Sequence, residues 1–119
     1  MAKPVTIAAE DGPVVCESCV LADSPLRRLR GLLGRSRLEP GQGILIRPAP
    51  AIHTWFMRFA IDAVFLDADL TVLSVRPELR PWRMAAHRGA RAVLELTAGE
   101  AERRRVRAGD RLEVSLGGL

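Results

Sequence analysis

Several residue types are scarce or missing in this chain of 119 residues, and each absence narrows the possible protein classes. It contains no tyrosine, no asparagine, one lysine (Lys3) and five aromatic side chains. Its longest apolar stretch, residues 59–66, includes Asp62 and is far shorter than the ~18 residues of a membrane span. Residues 1–4 lack the apolar stretch of a signal peptide. We therefore expect a cytoplasmic protein that does not enter a membrane.

The overall composition is typical of a small globular domain. Hydrophobic residues make up 48% of the chain and charged residues 27%, which excludes disordered, collagen-like and coiled-coil proteins. A chain of this length buries roughly two thirds of its unfolded surface, enough for a core without metals or disulfides. Because the sequence has no internal repeat and no flexible linker, we predict one domain over residues 1–119.

Positive charge is concentrated in two stretches of this arginine-rich chain. Arginine supplies 17 of the 18 basic residues, and the formal net charge is +4. Residues 26–47 carry a net charge of +5 and residues 76–91 a net charge of +4, so the rest of the chain is acidic at −5. Such stretches can form an anion-binding face. The alternative, which is the more common case for a charge run, is solvated helix and loop surface.

Alternating apolar residues and turn signals predict a mainly antiparallel β-sheet. The segment 59–67 is apolar on both of its alternating faces, as expected for a central strand covered on both sides. Residues 67–69 turn the chain into the next strand, and Gly109 and Asp110 make the turn before the last one. Seven strands are predicted, at residues 5–9, 14–21, 44–46, 59–67, 71–75, 90–96 and 111–116.

Two short helices are predicted from their end signals. The first begins at Ser24, a good N-cap residue, and ends at Gly34, which suits a left-handed stop. Thr97 and Glu100 have the spacing of a capping box for the second helix, which extends to about residue 106. We therefore predict an α+β fold: a single compact domain with a curled, mainly antiparallel sheet or partial barrel and two short helices.

Three blocks of sequence carry a family resemblance. The first comprises residues 31–35 and 41–45, the second residues 53–67, and the third residues 93–99 and 109–112. They occur in order over about residues 14–115. The most specific block begins at His53 and reads His-Thr-x-x-Met-x-x-x-Ile-Asp-x-x-Phe. Together they resemble the small prokaryotic family named domain of unknown function 192. The resemblance implies a compact, β-rich α+β domain and brings with it no activity, cofactor or partner, so function has to be argued from the site.

The second block contains the side chains most suited to binding. If it is a strand, His53, Trp55 and Met57 share a face, and the indole offers a flat apolar wall to a pocket. His53 and Met57 are too few ligands for a metal, and no dinucleotide or phosphate motif is present, so we predict neither metal nor cofactor. We assign ligand binding to His53, Trp55, Met57, Arg58 and Arg35. The alternative for His53 is a half-buried side chain bonded to a backbone carbonyl.

Two acidic residues in apolar strands raise the question of catalysis. A buried Asp62 carboxylate must be paired or hydrogen-bonded, and the candidate partners are Arg35, Arg58 or backbone N–H groups. We favour a structural role for Asp62, and a general base facing a pocket is the alternative. The alternation of residues 92–96 places Glu95 on the more exposed face of its strand.

Cys16 and Cys19 form a single C-x-x-C motif. On a regular strand this odd spacing directs the two sulfurs to opposite faces. A thioredoxin-like motif opens a helix, and a zinc site needs a second ligand pair, for which only His53 and His87 are available. We therefore interpret the cysteines as packing residues, with redox chemistry or metal binding as the alternative.

Three functional hypotheses remain. The first is a non-catalytic binding or accessory module that recognises a small anionic ligand or a protein partner around residues 53–58. The second is a small hydrolase- or lyase-like enzyme that uses Asp62 and His53 as acid and base. The third is weak nucleic-acid binding through the arginine stretches, without sequence specificity. It ranks last because most of the five aromatic side chains look like core residues, whereas stacking proteins expose theirs.

Overall fold

The structure, a computed structural model, describes residues 4–22, 38–55 and 57–116, and within these ranges the chain is mostly β. One short helix, α1 (Glu100–Arg103), lies in these ranges, and no described helix is long and apolar enough to cross a membrane. The predicted helix from Ser24 to Gly34 falls outside the described residues, so the α+β class with two helices is not confirmed. The strands are β1 (Val5–Ala9), β2 (Val14–Ala22), β3 (Gln42–Ile46), β4 (Ala51–His53), β5 (Ile61–Leu66), β6 (Val72–Leu79), β7 (Met84–Ala86), β8 (Ala92–Thr97) and β9 (Leu112–Leu116).

Seven of the strands form one curled sheet, and β4 and β7 form a second, small one. The order in the large sheet is β6-β5-β8-β3-β2-β1-β9, and all neighbours are antiparallel except β2 and β3. The curl brings the two edges together at one point, where Thr71 and Arg111 form an isolated bridge. There the N–H of Val72 also donates to the carbonyl of Asp110 at 2.7 Å. The sheet is not closed, so a curled, mainly antiparallel sheet is the correct part of the prediction.

An apolar cluster lies on each face of the large sheet. β5 is buried along its whole length, as its apolar residues on both faces predict. Val64 and Leu94 contribute to the first cluster, while Phe65 and Val93 contribute to the second. Ile52 of β4 and Ala85 of β7 also belong to the second cluster. The small sheet therefore packs over the second face of the large one.

The two cysteines lie on the same face of β2, and the predicted opposite orientation is wrong. Val5 pairs with Cys19 but Ile7 pairs with Cys16, so β2 has an extra residue between the two pairs. This β-bulge interrupts the two-residue period and buries both free thiols completely in the first cluster. A hydrogen bond from Cys19 lowers the pKa of the Cys16 thiol, and the same contact together with burial raises the pKa of Cys19.

The predicted capping box is also wrong. The Thr97 hydroxyl donates to the carbonyl oxygens of Leu38 and Glu39, at 2.9 and 3.0 Å, and makes no capping hydrogen bond to the helix. Gly99 occupies the N-cap position of α1 in a left-handed conformation, with φ of 92°, which carries the chain away from Thr97. The N–H groups at the start of the helix are bound by a carboxylate of a neighbouring strand, described in the next section.

Two other residues to which we assigned structural roles make local contacts. Glu100 accepts a hydrogen bond from the guanidinium of Arg104 at 3.2 Å, across one turn of helix. Asp110 accepts one from the backbone N–H of Arg107 at 2.9 Å. Gly109 stands between them with φ of 95°, a conformation that favours glycine. The turn before β9 is therefore closed by the side chain of Asp110, one of its own residues.

Candidate functional site

The small sheet presents large side chains to solvent. Its inward residues, Ile52 and Ala85, pack into the second cluster. Its outward residues include His53 and Met84, which lie directly opposite each other on the two strands. His53 is exposed, and Met84 is 64% exposed. An unbranched apolar side chain at such exposure adds little to folding and is available for contact.

Both tryptophans of the chain are at this sheet. Trp55 is 43% exposed and Trp82 is 56% exposed. The rings of His53 and Trp55 lie with centroids 4.9 Å apart and planes tilted by 34°. We call His53, Trp55, Trp82 and Met84 the tryptophan surface. It is the largest group of exposed aromatic side chains in the described ranges.

Thr54 holds the two tryptophans in place. This fully buried residue donates its N–H to the carbonyl of Arg83 at 2.8 Å, and its hydroxyl accepts from the N–H of Arg83 at 2.9 Å and donates to the carbonyl of Arg80. Its own carbonyl accepts from the N–H of Trp82 at 3.0 Å. Trp82 has φ of 64°, which is uncommon for a residue other than glycine and needs such support from its surroundings.

Exposed arginines are close to the tryptophan surface along the chain. Arg80 and Arg83 stand on either side of Trp82 in the chain, and Arg58 follows the segment that holds Trp55. All three are exposed, and none forms an ion pair with a carboxylate in the described ranges. Apart from one hydrogen bond from the Arg83 guanidinium to the carbonyl of Trp82, at 3.3 Å, their guanidinium groups are available to an anion from solution.

The predicted ligand set is only partly brought together. His53 and Trp55 are exposed neighbours and Arg58 is exposed, but Met57 is buried in the second cluster. The strand interpretation of this segment fails because β4 ends at His53 and the N–H of Met57 then turns back to the carbonyl of Thr54, at 3.2 Å. The chain turn points Met57 inward. Two further predicted residues, Gly34 and Arg35, lie outside the described residues.

Trp82 and Met84 are the members of the surface that the sequence analysis missed. They fall in residues 76–89, where prolines and arginines interrupt any apolar period and no strand is predicted. The structure forms the end of β6 and all of β7 there. The available signal was the presence of two large apolar side chains in a segment with no apolar period, which indicates exposure.

Asp62, the candidate general base, is fully buried, and its hydrogen-bond donors within the described ranges are all backbone N–H groups. One carboxylate oxygen accepts from the N–H of Glu78 at 2.8 Å, and the other from the N–H groups of Gly99 and Ala101 at 3.0 and 2.9 Å. The bulge of β6 opposite β5 removes the Glu78 N–H from the strand ladder, and Asp62 replaces the missing acceptor. Of the partners we considered, the backbone N–H groups are the ones present.

Glu95 is the second buried acid, and its expected exposure is wrong. It is 3% exposed on the second face of the sheet, between Ile44 and Ala63 of the neighbouring strands. The small sheet and its flanking loops cover this face. Burial raises the pKa of Glu95 to about 8, so its carboxyl group is mainly neutral at pH 7. No hydrogen bond joins this carboxyl group to another residue of the described ranges.

The side chains of the candidate site are better suited to binding a ligand than to coordinating a metal ion. Within residues 4–22, 38–55 and 57–116, no three histidine, cysteine or carboxylate side chains come together in a way that could hold a metal ion. The tryptophan surface instead offers flat apolar faces, an imidazole and guanidinium groups at one place. These groups suit stacking and anion recognition.

Comparison with solved structures supports the fold. A Sinorhizobium meliloti protein, described as a proposed transcription regulator, matches with a TM-score of 0.82 and 26% identity, over 96% of this chain and 94% of that one. A Novosphingobium aromaticivorans protein of unknown function matches with a TM-score of 0.79 and 24% identity, over 92% of this chain and 83% of that one. The second likeness concerns the fold alone.

Comparison of sequences gives the family. A UPF0127 protein of Pyrococcus abyssi is 33% identical over 100 residues, which cover 78% of this chain and 82% of the relative. One of Pyrococcus furiosus is 35% identical over 100 residues, covering 77% and 82%. The family model DUF192, described as an uncharacterised ACR, matches residues 6–114. The chain therefore belongs to the family of domain of unknown function 192, as its sequence blocks indicated.

Proposed function

We propose that this protein is a binding module whose tryptophan surface holds an anionic ligand with a flat apolar part. The observation that carries the proposal is the exposure of both tryptophans beside the buried Thr54: Trp55 follows it in the chain, and the backbone N–H of Trp82 donates to its carbonyl. Exposed arginines are close to both along the chain. An indole face stacks on a flat ring, and a guanidinium group binds a carboxylate or phosphate with paired hydrogen bonds. Thr54 fixes the geometry before the ligand arrives, which lowers the entropic cost of binding.

The positions of Asp62 and His53 favour binding over acid–base catalysis. Asp62 alternates with Ile61 and Ala63, both of the second cluster, so its side chain is directed to the first face of the sheet. His53 lies on the outer side of the small sheet, which covers the second face. The large sheet thus separates the two side chains, and a general acid and base must both reach one substrate.

Intrinsic fluorescence tests the proposal directly. Both tryptophans lie on the tryptophan surface and the chain contains no tyrosine, so the emission reports on this surface alone. The probe is adenosine monophosphate, which combines a ring and an anion. The matched controls are adenosine, which lacks the anion, and ribose 5-phosphate, which lacks the ring. We expect the monophosphate to quench the emission and to bind more tightly than either control.

Variants assign the binding to named side chains. Arg83→Ala and Trp82→Ala should each weaken binding of the monophosphate, by about fivefold or more. Arg107→Ala is the matched control, because Arg107 is also exposed but belongs to the turn before β9. Equal affinity for the monophosphate and for ribose 5-phosphate, or no binding at all, would overturn the proposal, and the second result would leave a protein partner as the occupant.

A further inference from the structure

We infer that the ligand of the tryptophan surface is single-stranded nucleic acid, bound by stacking of unpaired bases on the indoles and by arginine contacts to successive phosphates. The inference rests on the proposed function and specifies its ligand class. It requires exposed aromatic side chains and a run of unpaired positive charge at the same place.

The distribution of aromatic side chains meets the first requirement. Phe65 is fully buried and Phe59 is partly buried against the second cluster, whereas Trp55 and Trp82 are both exposed. The core-like appearance of the aromatic residues, which counts against nucleic acid in the sequence, therefore does not extend to the tryptophans. His53 lies against Trp55 and adds a second ring to the platform. Since every base has a flat face, such a platform tolerates any sequence.

The charge pattern meets the second requirement and favours a polyanion over a small anion. Five exposed arginines and one acid, Glu78, lie in residues 76–91. Arg83 and Arg88 lie beyond opposite ends of β7, whose three residues span about 10 Å. One phosphate group cannot contact both Arg83 and Arg88, whereas successive phosphates of one strand can. Charge complementarity thus commits the surface to an extended anion.

The same features distinguish a single strand from a duplex. In a duplex the faces of the bases are covered by their neighbours, so the indoles of Trp55 and Trp82 would have no ring on which to stack. A duplex would be bound through its phosphates alone. An unpaired strand can use both the indoles and the arginines, and its affinity contains both terms.

The experiment uses a fluorescein-labelled twelve-residue oligothymidylate, with the full-length protein and anisotropy as the readout. We expect its dissociation constant to be about a hundredfold lower than the inhibition constant of thymidine monophosphate as a competitor. Linked contacts raise the affinity well beyond that of one nucleotide. The logarithm of the affinity should fall with the logarithm of salt concentration by about −0.7 for each phosphate contacted, so three contacts give about −2. An abasic strand of the same length and a twelve-base-pair duplex are the controls, and both should bind more weakly.

Variants separate the two contributions. Trp55→Ala and Trp82→Ala should each lower the affinity for oligothymidylate about tenfold and leave the salt slope unchanged. Trp55→Phe and Trp82→Phe should restore part of it, which separates stacking from a folding defect. Arg83→Ala should make the slope less steep by about 0.7, whereas Arg107→Ala should leave both affinity and slope unchanged.

The outcomes distinguish this inference from the proposed function. If adenosine monophosphate binds but oligothymidylate binds no more tightly than thymidine monophosphate, the polymer inference is wrong and the small-ligand proposal stands. If the abasic strand or the duplex binds as tightly as oligothymidylate, and the tryptophan variants bind like the parent protein, stacking is excluded and the inference is wrong. Loss of binding to both the nucleotide and the strand would overturn both.

Discussion

The two faces of the large sheet each bury one carboxyl group, and they treat it in opposite ways. On the first face, Asp62 accepts three backbone hydrogen bonds and caps a helix. On the second, Glu95 has no such donors among the described residues, and burial raises its pKa to about 8. Burial is nearly complete in both cases. The hydrogen-bond donors around each acid, and not its degree of burial, therefore decide how it contributes to stability.

The difference follows from what packs on each face. The first face receives α1 and the bulge of β6, whose geometry frees backbone N–H groups that need an acceptor. The second face receives the small sheet through Ile52 and Ala85, whose side chains offer no donor. A buried carboxylate stabilises the folded state where free N–H groups donate to it, and destabilises it where only apolar side chains surround it. Substitutions at the two positions should therefore change stability in opposite directions.

The largest effect is expected at Asp62. Asp62→Ala leaves three backbone N–H groups without this acceptor, one of them in a buried hydrogen bond, and should lower the free energy of unfolding by roughly 3 kcal/mol or more, since each such group costs about 1–3 kcal/mol. Asp62→Asn keeps one acceptor oxygen and should cost roughly 1–3 kcal/mol. Denaturant titration measures both, through the midpoint at unchanged slope.

Asp110→Asn is the matched control for this prediction. Asp110 also accepts a backbone hydrogen bond, but only one, and in a surface turn. Its substitution should cost much less, within about 1 kcal/mol. If Asp62→Asn leaves the midpoint unchanged, the structural role is wrong and Asp62 becomes available again as a catalytic base.

A smaller effect of opposite sign is expected at Glu95. Its pKa is about 8 in the folded protein and 4.5 in the unfolded chain, so the folded state binds more protons between these values. The free energy of unfolding therefore falls as pH rises, by at most about 1.4 kcal/mol per pH unit from this group. Between pH 6 and pH 8 the parent protein should lose about 2 kcal/mol relative to Glu95→Gln, which carries no charge at either pH.

Denaturation of the two proteins at several pH values measures this difference. All other titratable groups are common to both proteins, so their contributions cancel when the two curves are subtracted. Glu113→Gln is a suitable control, because Glu113 is an exposed acid on β9. A difference between parent and Glu95→Gln that does not change from pH 6 to pH 8 would contradict the neutral, buried carboxyl.

The strands were predictable from sequence where the period was regular. β5 and β8 are apolar in the pattern of covered strands, and the hairpin of β5 and β6 follows from its aspartates. The errors occur where an extra residue or a distant partner intervenes. The bulge in β2 changes the face of Cys16, and the cap of α1 comes from Asp62, which lies 37 residues before Gly99. Neither event leaves a local signal in the sequence.

Only part of the candidate site was predictable from the sequence, because a distant contact again places the rest. The motif around His53 and Trp55 attracts attention because its residue types are unusual, and the structure exposes both. Trp82 and Met84 join them only because Thr54 binds the backbone of Arg83, which is 29 residues away. A separate bond, from the N–H of Met57 to the carbonyl of Thr54, turns Met57 inward. Long-range pairing of two short strands determines the surface, and periodicity within one segment cannot show it.

The smallest effect is expected at Thr97, and it tests which side chain caps α1. It also tests whether the two faces of the large sheet contribute independently to the free energy of unfolding. Thr97→Val removes the hydroxyl that donates to Leu38 and Glu39 and should lower the free energy of unfolding by about 1 kcal/mol. Because Thr97 and Asp62 share no hydrogen-bond partner, the cost of the Thr97→Val, Asp62→Asn double variant should equal the sum of the single costs within about 0.5 kcal/mol. If Thr97 also capped α1, both side chains would serve the same N–H groups and the double variant would depart from additivity. Denaturant midpoints of the four proteins in this cycle decide between the two arrangements.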